Sequence, residues 1–256
     1  MNKEPSPQRE SQITVVFVPF FGGKISSLKR HIQLVEGLGF KTSFVELEFS
    51  SLKIAAKPFA ASSLEFGMKA LWADQIEKKL NSISGPKILY SFSNPSAAAI
   101  EAIRRRGAID ILGLIADGGP TGEVLSSMLK YFTVERPIKF LPARWTLAAL
   151  SAFVLSPKQN HFCFEDLAKI PSGFKILSIR GWKDPLISPQ QIDLIFEPHP
   201  HLDWQKLALP MGEHLNGLKD FKDEYEGPVT KFLDTISFLS LPTDLRVSES
   251  VSIQKV

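Results

Sequence analysis

One cysteine, Cys163, stands in 256 residues, which leaves no intrachain disulfide and no cysteine-built zinc site. Long apolar runs are missing too. Trp145–Leu155 and Ile109–Ala116 are the longest, and both are too short to span a bilayer. Met1–Gln12 is polar and rich in Pro, Ser, Glu and Gln, without the apolar centre of a secretory signal, so a cytoplasmic protein is expected. Charge of one sign is scarce: 30 Lys and Arg against 27 Asp and Glu give +3 and a pI near 8.9. A nucleic-acid binder would concentrate its cations more than this, so no nucleic-acid partner is expected. The visible cluster, Arg104–Arg106, falls at an expected helix C-terminus, where cations complement the helix dipole. His199-Pro200-His201 has a proline between its histidines and no nearby acidic cluster, which reads as a loop rather than a metal site. Nothing in the sequence calls for a metal or a cofactor, and no internal repeat is visible.

What is present is ordinary for a globular chain, 44% hydrophobic and 22% charged, and its pattern is alternation. Ile13–Phe20 is a nearly continuous apolar, β-branched run, as expected of a strand buried on both faces of a parallel sheet. Gly22-Gly23 end it, and Ser26-Ser27 are placed to cap a helix reaching about Leu38. Further strands are predicted over Phe40–Phe49, Lys87–Phe92, Ile109–Ala116, Phe174–Arg180 and Leu202–Leu209. Helices are predicted over Phe66–Leu80, Pro95–Arg106, Ser188–Phe196 and Gly227–Leu239, with residues 50–65 irregular. Strand–helix alternation of this length implies a doubly wound, mostly parallel sheet with helices on both faces. Residues 13–240 then form one domain, with polar tails at 1–12 and 242–256.

In an open α/β sheet, ligands bind beyond the carboxyl ends of the strands. The third strand ends in Ser91-Phe92-Ser93-Asn94-Pro95, directly before a helix. A serine on so sharp a turn exposes its hydroxyl and needs small residues two places either side, hence the pattern Gly-x-Ser-x-Gly. Here those flanks are Ser91 and Pro95, a partial match. The bland reading is a Ser/Asn helix cap. Ser91 becomes the nucleophile only if the turn slips by two residues, which puts Leu89 where a small residue is required.

Two other strand ends bear on Ser93. The strand from Phe174 runs into Gly181-Trp182-Lys183-Asp184-Pro185, and the last strand is followed by Pro210-Met211-Gly212-Glu213-His214. Imidazole has the pKa to take a serine proton, and a carboxylate fixes its tautomer and stabilises the imidazolium. The candidate triad is therefore Ser93, Asp184 and His214. Asp117, at the end of the fourth strand, is the alternative acid, and Asp184 in an Asp-Pro turn is also a common turn former.

The order Ser, Asp, His after successive strands resembles that of the α/β-hydrolase superfamily, and the resemblance runs from Ile13 to Leu239. Pro19-Phe20-Phe21-Gly22-Gly23 resembles the His-Gly-x-Gly-Gly turn of those proteins, with Pro19-Phe20 in place of His-Gly. The resemblance implies an oxyanion hole formed by the N–H groups of Phe21 and Asn94. A finer likeness, in Phe92-Ser93-Asn94, Ala116–Pro120 and His214–Tyr225, is to the uncharacterised transmembrane protein 53-like hydrolase family.

Residues 121–172 interrupt the alternation with an aromatic, proline-punctuated and helical insertion, where this fold carries a cap over its active site. Its Met128, Leu129, Tyr131, Phe132, Phe140, Leu141, Trp145, Leu147, Leu150, Phe153, Val154 and Phe162 point to an apolar pocket wall, while Cys163 reads as a cap residue and His31 as surface or packing. The expected activity is hydrolysis of a carboxylic ester or thioester of an apolar acyl group, a small-molecule substrate, through an acyl-enzyme. Two alternatives stay open: a non-catalytic or binding member of the fold, because both Gly-rich motifs are degraded, and an amidase or acyltransferase using the same triad.

Overall fold

The computed structural model describes residues 13–48, 67–156 and 158–240. The stretch expected to be irregular and both expected tails lie outside the described residues. Six strands form one sheet: β1 (Thr14–Val18), β2 (Lys41–Phe44), β3 (Lys87–Phe92), β4 (Ile111–Asp117), β5 (Lys175–Gly181) and β6 (Asp203–Leu209). Their spatial order is β2-β1-β3-β4-β5-β6 and every pairing is parallel. The chain leaves β1 towards β2 and returns to β1's other side with β3, so the topological switch lies between β1 and β3. A crevice opens there beyond the carboxyl ends.

Both faces of the central strands are buried, which is why these strands read as unbroken apolar runs. On one face Val15, Phe17, Ile88, Tyr90 and Leu177 pack against α1 (Lys29–Gly37) and the last helix, α9 (Lys222–Ser240), through Val35, Val229, Phe232 and Ile236. On the other, Val16, Leu89, Leu114 and Ile176 meet α2 (Met68–Asn81), α3 (Ser96–Arg105), α6 (Gln159–Ala168) and α7 (Pro189–Phe196). Ala97, Ala98, Ala99 and Ala102 of α3 are fully or almost fully buried, small enough to let that helix lie close on the sheet. Between β4 and β5 stand α4 (Val124–Val134) and α5 (Leu141–Leu155), which pack on each other, while α6 packs on α3.

Several boundaries differ from the expected ones. Gly227–Leu239 belongs to the last helix, as expected; that helix begins earlier, at Lys222, and runs through Pro228, whose missing N–H removes one bond without ending it. A short helix, α8 (Gly217–Asp220), precedes it. Ser26-Ser27 do not cap α1: a 3-10 turn, Ile25–Leu28, comes first, and Leu28 is the N-cap without a side-chain bond. β4 begins at Ile111, leaving Ile109 in solvent.

Cys163 is not a cap residue. It is fully buried in the core beneath α3, where burial pushes its thiol up to about 12. Beside it, the Lys69 ammonium lies 2.6 Å from both Glu101 and Asp166, all three almost wholly buried. Arg104 joins Asp166 at 2.8 Å, and Arg105 bridges Asp74, Glu77 and Glu101. Two members of the cluster first read as a dipole complement thus lock α2, α3 and α6 together, while Arg106 pairs with Asp110. Removing one partner of such a buried set strands the other charge.

Candidate functional site

Strand β3 ends at Phe92 and α3 begins at Ser96, so the chain must reverse within three residues. Ser93 does this with φ of 57°, a left-handed conformation that carries a steric cost for any residue with a Cβ. Its neighbours hold it there. The Ser93 N–H donates to the Asp117 carbonyl at 2.7 Å, and the Ser93 carbonyl accepts from Ser96 N–H at 3.1 Å. Gly119 closes against the turn: a Cβ on it would lie 2.3 Å from the Ser93 carbonyl oxygen, so only glycine fits. Ser91 is fully buried within β3, its hydroxyl 2.9 Å from Ser96 Oγ and 3.2 Å from the Ile115 carbonyl, and does not face the crevice.

The loop after β5 carries Asp184. One of its oxygens, Oδ1, accepts the backbone N–H groups of Leu186 and Ile187 at 2.8 and 2.9 Å. The other, Oδ2, lies 2.6 Å from Nδ1 of His214. The loop is fixed at its far end by a capping box on α7, where the Ser188 hydroxyl accepts from Gln191 N–H and the Gln191 side chain accepts from Ser188 N–H. It interlocks with the loop after β6 through Lys183 N–H on the Gly212 carbonyl. Gly181 makes that approach possible, since a Cβ there would stand 2.2 Å from the Gly212 oxygen. His214 Nε2 is 3.1 Å from Ser93 Oγ. The three expected residues therefore form a continuous chain of contacts, Ser93 to His214 to Asp184, beyond the ends of β3, β6 and β5. Asp184 is 8% exposed, so this carboxylate works in a dry setting.

Asp117 points elsewhere. Its Oδ2 accepts the Tyr225 hydroxyl at 2.5 Å, and that hydroxyl lies 2.5 Å from the hydroxyl of Tyr90. Burial pushes the Asp117 carboxyl up to about 6, against the Tyr225 hydrogen bond, which favours its charged form. His31, on α1, stacks edge-on against Phe92, Tyr90 and Tyr225, with Nε2 3.8 Å from Asp117 Oδ2. It is packing, not surface. Burial, with Arg30 adding, pushes His31 down to about 4.

Phe21 and Asn94 follow adjacent strands, β1 and β3, at the switch point. The turn carrying Phe21 is closed by Gly23 N–H donating to the Phe20 carbonyl at 2.8 Å, and the Phe21 ring is half exposed, 6.1 Å from that of Trp72. The Asn94 amide is held reciprocally by Gln159 at the start of α6: Asn94 Nδ2 donates to Gln159 Oε1 at 3.2 Å and Gln159 Nε2 donates to Asn94 Oδ1 at 2.6 Å. Gln159 Nε2 also lies 3.1 Å from the Thr121 carbonyl. Neither Gln159 nor the Tyr90–Tyr225 pair has a signal in the sequence, because 65 and 135 residues separate the partners.

The two histidines of the His199-Pro200-His201 loop lie elsewhere. His199 is buried against Phe164, and His201 Nε2 lies 3.2 Å from the Leu167 carbonyl. Among the described residues no group of three or more His, Cys, Asp or Glu is placed to hold a metal ion, and no helix is long and apolar enough to cross a membrane. A groove of about 1170 Å³ runs between α4, α5, α6 and α7, walled by Leu125, Leu129, Trp145, Phe164 and Leu194 with Glu123, Lys130 and Lys158 among its lining; none of Ser93, Asp184 or His214 lines it, and Gln159, bonded to Asn94, is its link to the site.

Neither a protein-family model nor a curated protein matches the chain. Solved structures do. The esterase Pf2001 of Pyrococcus furiosus is similar at 13% identity, with 88% of this chain and 82% of that one covered and a TM-score of 0.63. A structure from the study of LipS and LipT, metagenome-derived lipolytic enzymes, is 15% identical over 88% of this chain and 95% of that one, with a TM-score of 0.59. The RedJ thioesterase from the prodiginine biosynthetic pathway of Streptomyces coelicolor is 18% identical over 91% and 90%, with a TM-score of 0.55. At these identities the likeness is one of architecture, and with the six-stranded parallel sheet flanked by helices it shows that the chain has the α/β-hydrolase fold.

Proposed function

We propose that the protein is a serine hydrolase that cleaves a carboxylic ester or thioester of an apolar acyl group through an acyl-enzyme. One observation carries this reading: the unbroken relay of Ser93 Oγ, His214 Nε2 and Nδ1, and Asp184 Oδ2, at 3.1 and 2.6 Å. The esterase, lipolytic and thioesterase structures of the same fold lend it support.

In this mechanism His214 Nε2 takes the Ser93 hydroxyl proton as Oγ forms a bond to the acyl carbon. Asp184 holds the imidazole with its proton on Nδ1 and stabilises the imidazolium that forms. The carbonyl electron pair moves onto oxygen, and the N–H groups of Phe21 and Asn94 receive that oxyanion. The electrons return, the bond to the alcohol or thiol breaks, and His214 hands the leaving group its proton. Water then repeats the sequence on the acyl-Ser93 ester and releases the acid.

Helices α4 and α5 serve as the cap in this reading. The exposed ring of Phe21 adds an apolar wall beside the expected oxyanion position. The deciding experiment is labelling with a fluorophosphonate: Ser93 is the modified residue, and both Ser93→Ala and His214→Ala abolish labelling. Labelling that persists in Ser93→Ala sinks the reading.

A further inference from the structure

Helix α5, with the sequence LPARWTLAALSAFVL, has one charged residue, Arg144. That guanidinium is turned back onto the Ile138 carbonyl, at 2.9 Å from Nε and 2.7 Å from Nη2. A helix apolar all round belongs in a core or against lipid, not in water. Yet only Ala148 and Leu155 of α5 are buried. Phe140, just before it, is 68% exposed, and Leu141, Trp145 and Leu150 are each more than half exposed. Leu147 and Val134, the latter at the end of α4, continue the strip. Spaced by seven and three residues, Phe140, Leu147 and Leu150 share one side of α5, whereas Trp145 lines the groove on another; an exposed apolar patch marks an interaction surface, whereas scattered apolar residues do not.

The charges around the strip are of nearly one sign. From Arg136 to Phe164 the chain carries Arg136, Lys139, Arg144 and Lys158 and no Asp or Glu. Glu135 and Lys130 lie just before, on the outer turns of α4. Arg136 and Lys139 are exposed at the tip of the α4–α5 hairpin, beside Phe140. A second copy of the chain docked here across a two-fold axis would bring these cations towards their own counterparts. An anionic surface meets them with the opposite charge. At 15 residues α5 is too short to cross a bilayer but suits a position in its interface.

We infer that the α4–α5 hairpin docks on an anionic phospholipid surface, with Phe140, Leu147 and Leu150 entering the acyl boundary and Arg136 and Lys139 among the headgroups. This surface does not involve Ser93 chemistry, so docking and hydrolysis stand or fall separately.

The test is vesicle flotation of the full chain, with phosphatidylcholine alone or mixed with phosphatidylglycerol. The protein is expected to float with the mixed vesicles, to float poorly with phosphatidylcholine alone, and to be released by high salt. The Phe140→Glu/Leu150→Glu variant loses flotation. The Arg136→Gln/Lys139→Gln variant binds less tightly, by about fivefold for each cation removed. Both keep the wild-type melting temperature, because the altered side chains face solvent. Absence of flotation with mixed vesicles overturns the inference, as does flotation unchanged in Phe140→Glu/Leu150→Glu. A wild-type dimer in sedimentation equilibrium that this variant converts to monomer also overturns it, by assigning the face to a second copy.

Discussion

Replacing Asp184 by Asn tests the site more sharply than deleting it, because the geometry fixes how the amide must sit. Oδ1 of Asp184 accepts two backbone N–H groups, from Leu186 and Ile187, while Oδ2 meets His214 Nδ1. An asparagine that keeps its oxygen on the two N–H groups turns its own NH₂ towards Nδ1. The imidazole then accepts at Nδ1 and carries its proton on Nε2, 3.1 Å from Ser93 Oγ, where it cannot take the serine proton. Flipping the amide restores the useful tautomer but sets NH₂ against two backbone donors. Each unpaired buried group costs about 1–3 kcal/mol, so the productive orientation lies about 2–6 kcal/mol higher. That corresponds to a loss of roughly thirtyfold to about ten-thousandfold, and the upper end matches the ~10⁴ effect of an Asp→Asn change in a serine triad.

The assay is kcat/KM for a p-nitrophenyl ester near neutral pH, with the melting temperature showing that the fold is intact. Asp117→Asn is the control, since Oδ2 of Asp117 is taken by the Tyr225 hydroxyl. A loss below about tenfold in Asp184→Asn, or a larger loss in Asp117→Asn than in Asp184→Asn, refutes the reasoning and moves the acid to Asp117.

Asp117→Asn also has a stability signature. The native carboxyl is held up to about 6 from 3.8, so the native state binds this proton more tightly than the unfolded chain; that contribution is complete below 3.8 and is lost as pH rises through about 6. Asparagine does not ionise and still accepts from Tyr225, so urea midpoints of the variant are expected to gain on the wild type by up to about 3 kcal/mol between acid and neutral pH, and a pH-independent gap counts against this. His31, pushed down to about 4, loses its contribution as pH falls below 6.5, so the full gain of the variant is read above that pH. Gln159→Leu strands the Asn94 amide and the Thr121 carbonyl, and a loss of about 1–3 kcal/mol in chemical denaturation is expected, whereas no loss means that the amide pair contributes nothing net. For substrates, kcat/KM should climb from p-nitrophenyl acetate to medium-chain esters, each buried methylene contributing about 0.8 kcal/mol, close to fourfold; a flat or steadily falling series removes the apolar pocket and leaves the triad standing.

How much of this was legible in the sequence follows from which interactions are local. Ile13–Phe20 and Lys87–Phe92 read as strands because a parallel strand buried on both faces leaves an unbroken apolar run, and β1 and β3 lie fully inside those runs. Ser188–Phe196 reads as a helix with Pro189 in its first turn because a helix start is a matter of neighbouring residues, and α7 begins at Pro189. The same local logic failed at Ser26-Ser27, which do not cap α1: a 3-10 turn comes first and Leu28 stands at the N-cap without a side-chain bond. It failed again for Cys163 and His31, whose burial is decided by helices and strands far away in the chain.

The two candidate acids divide along the same line. Asp117 closes β4 and Asp184 follows β5 by three residues, so both stand at the carboxyl end of the sheet. They differ in what fills the oxygen turned away from the histidine. For Asp184 it is the backbone of its own turn, two and three residues on, an arrangement that an Asp-Pro-Leu-Ile sequence carries within itself. For Asp117 it is a phenol 108 residues away, on the last helix, and no stretch of sequence announces that partner. A carboxylate whose second oxygen is tied by its own turn can be aimed without help from the rest of the fold, and the geometry leaves Asp184 with its free oxygen 2.6 Å from His214. One claimed by a distant tyrosine has its orientation set by the core. That places Asp117 in the packing beneath the crevice, where its contribution is to be sought in stability against pH rather than in turnover.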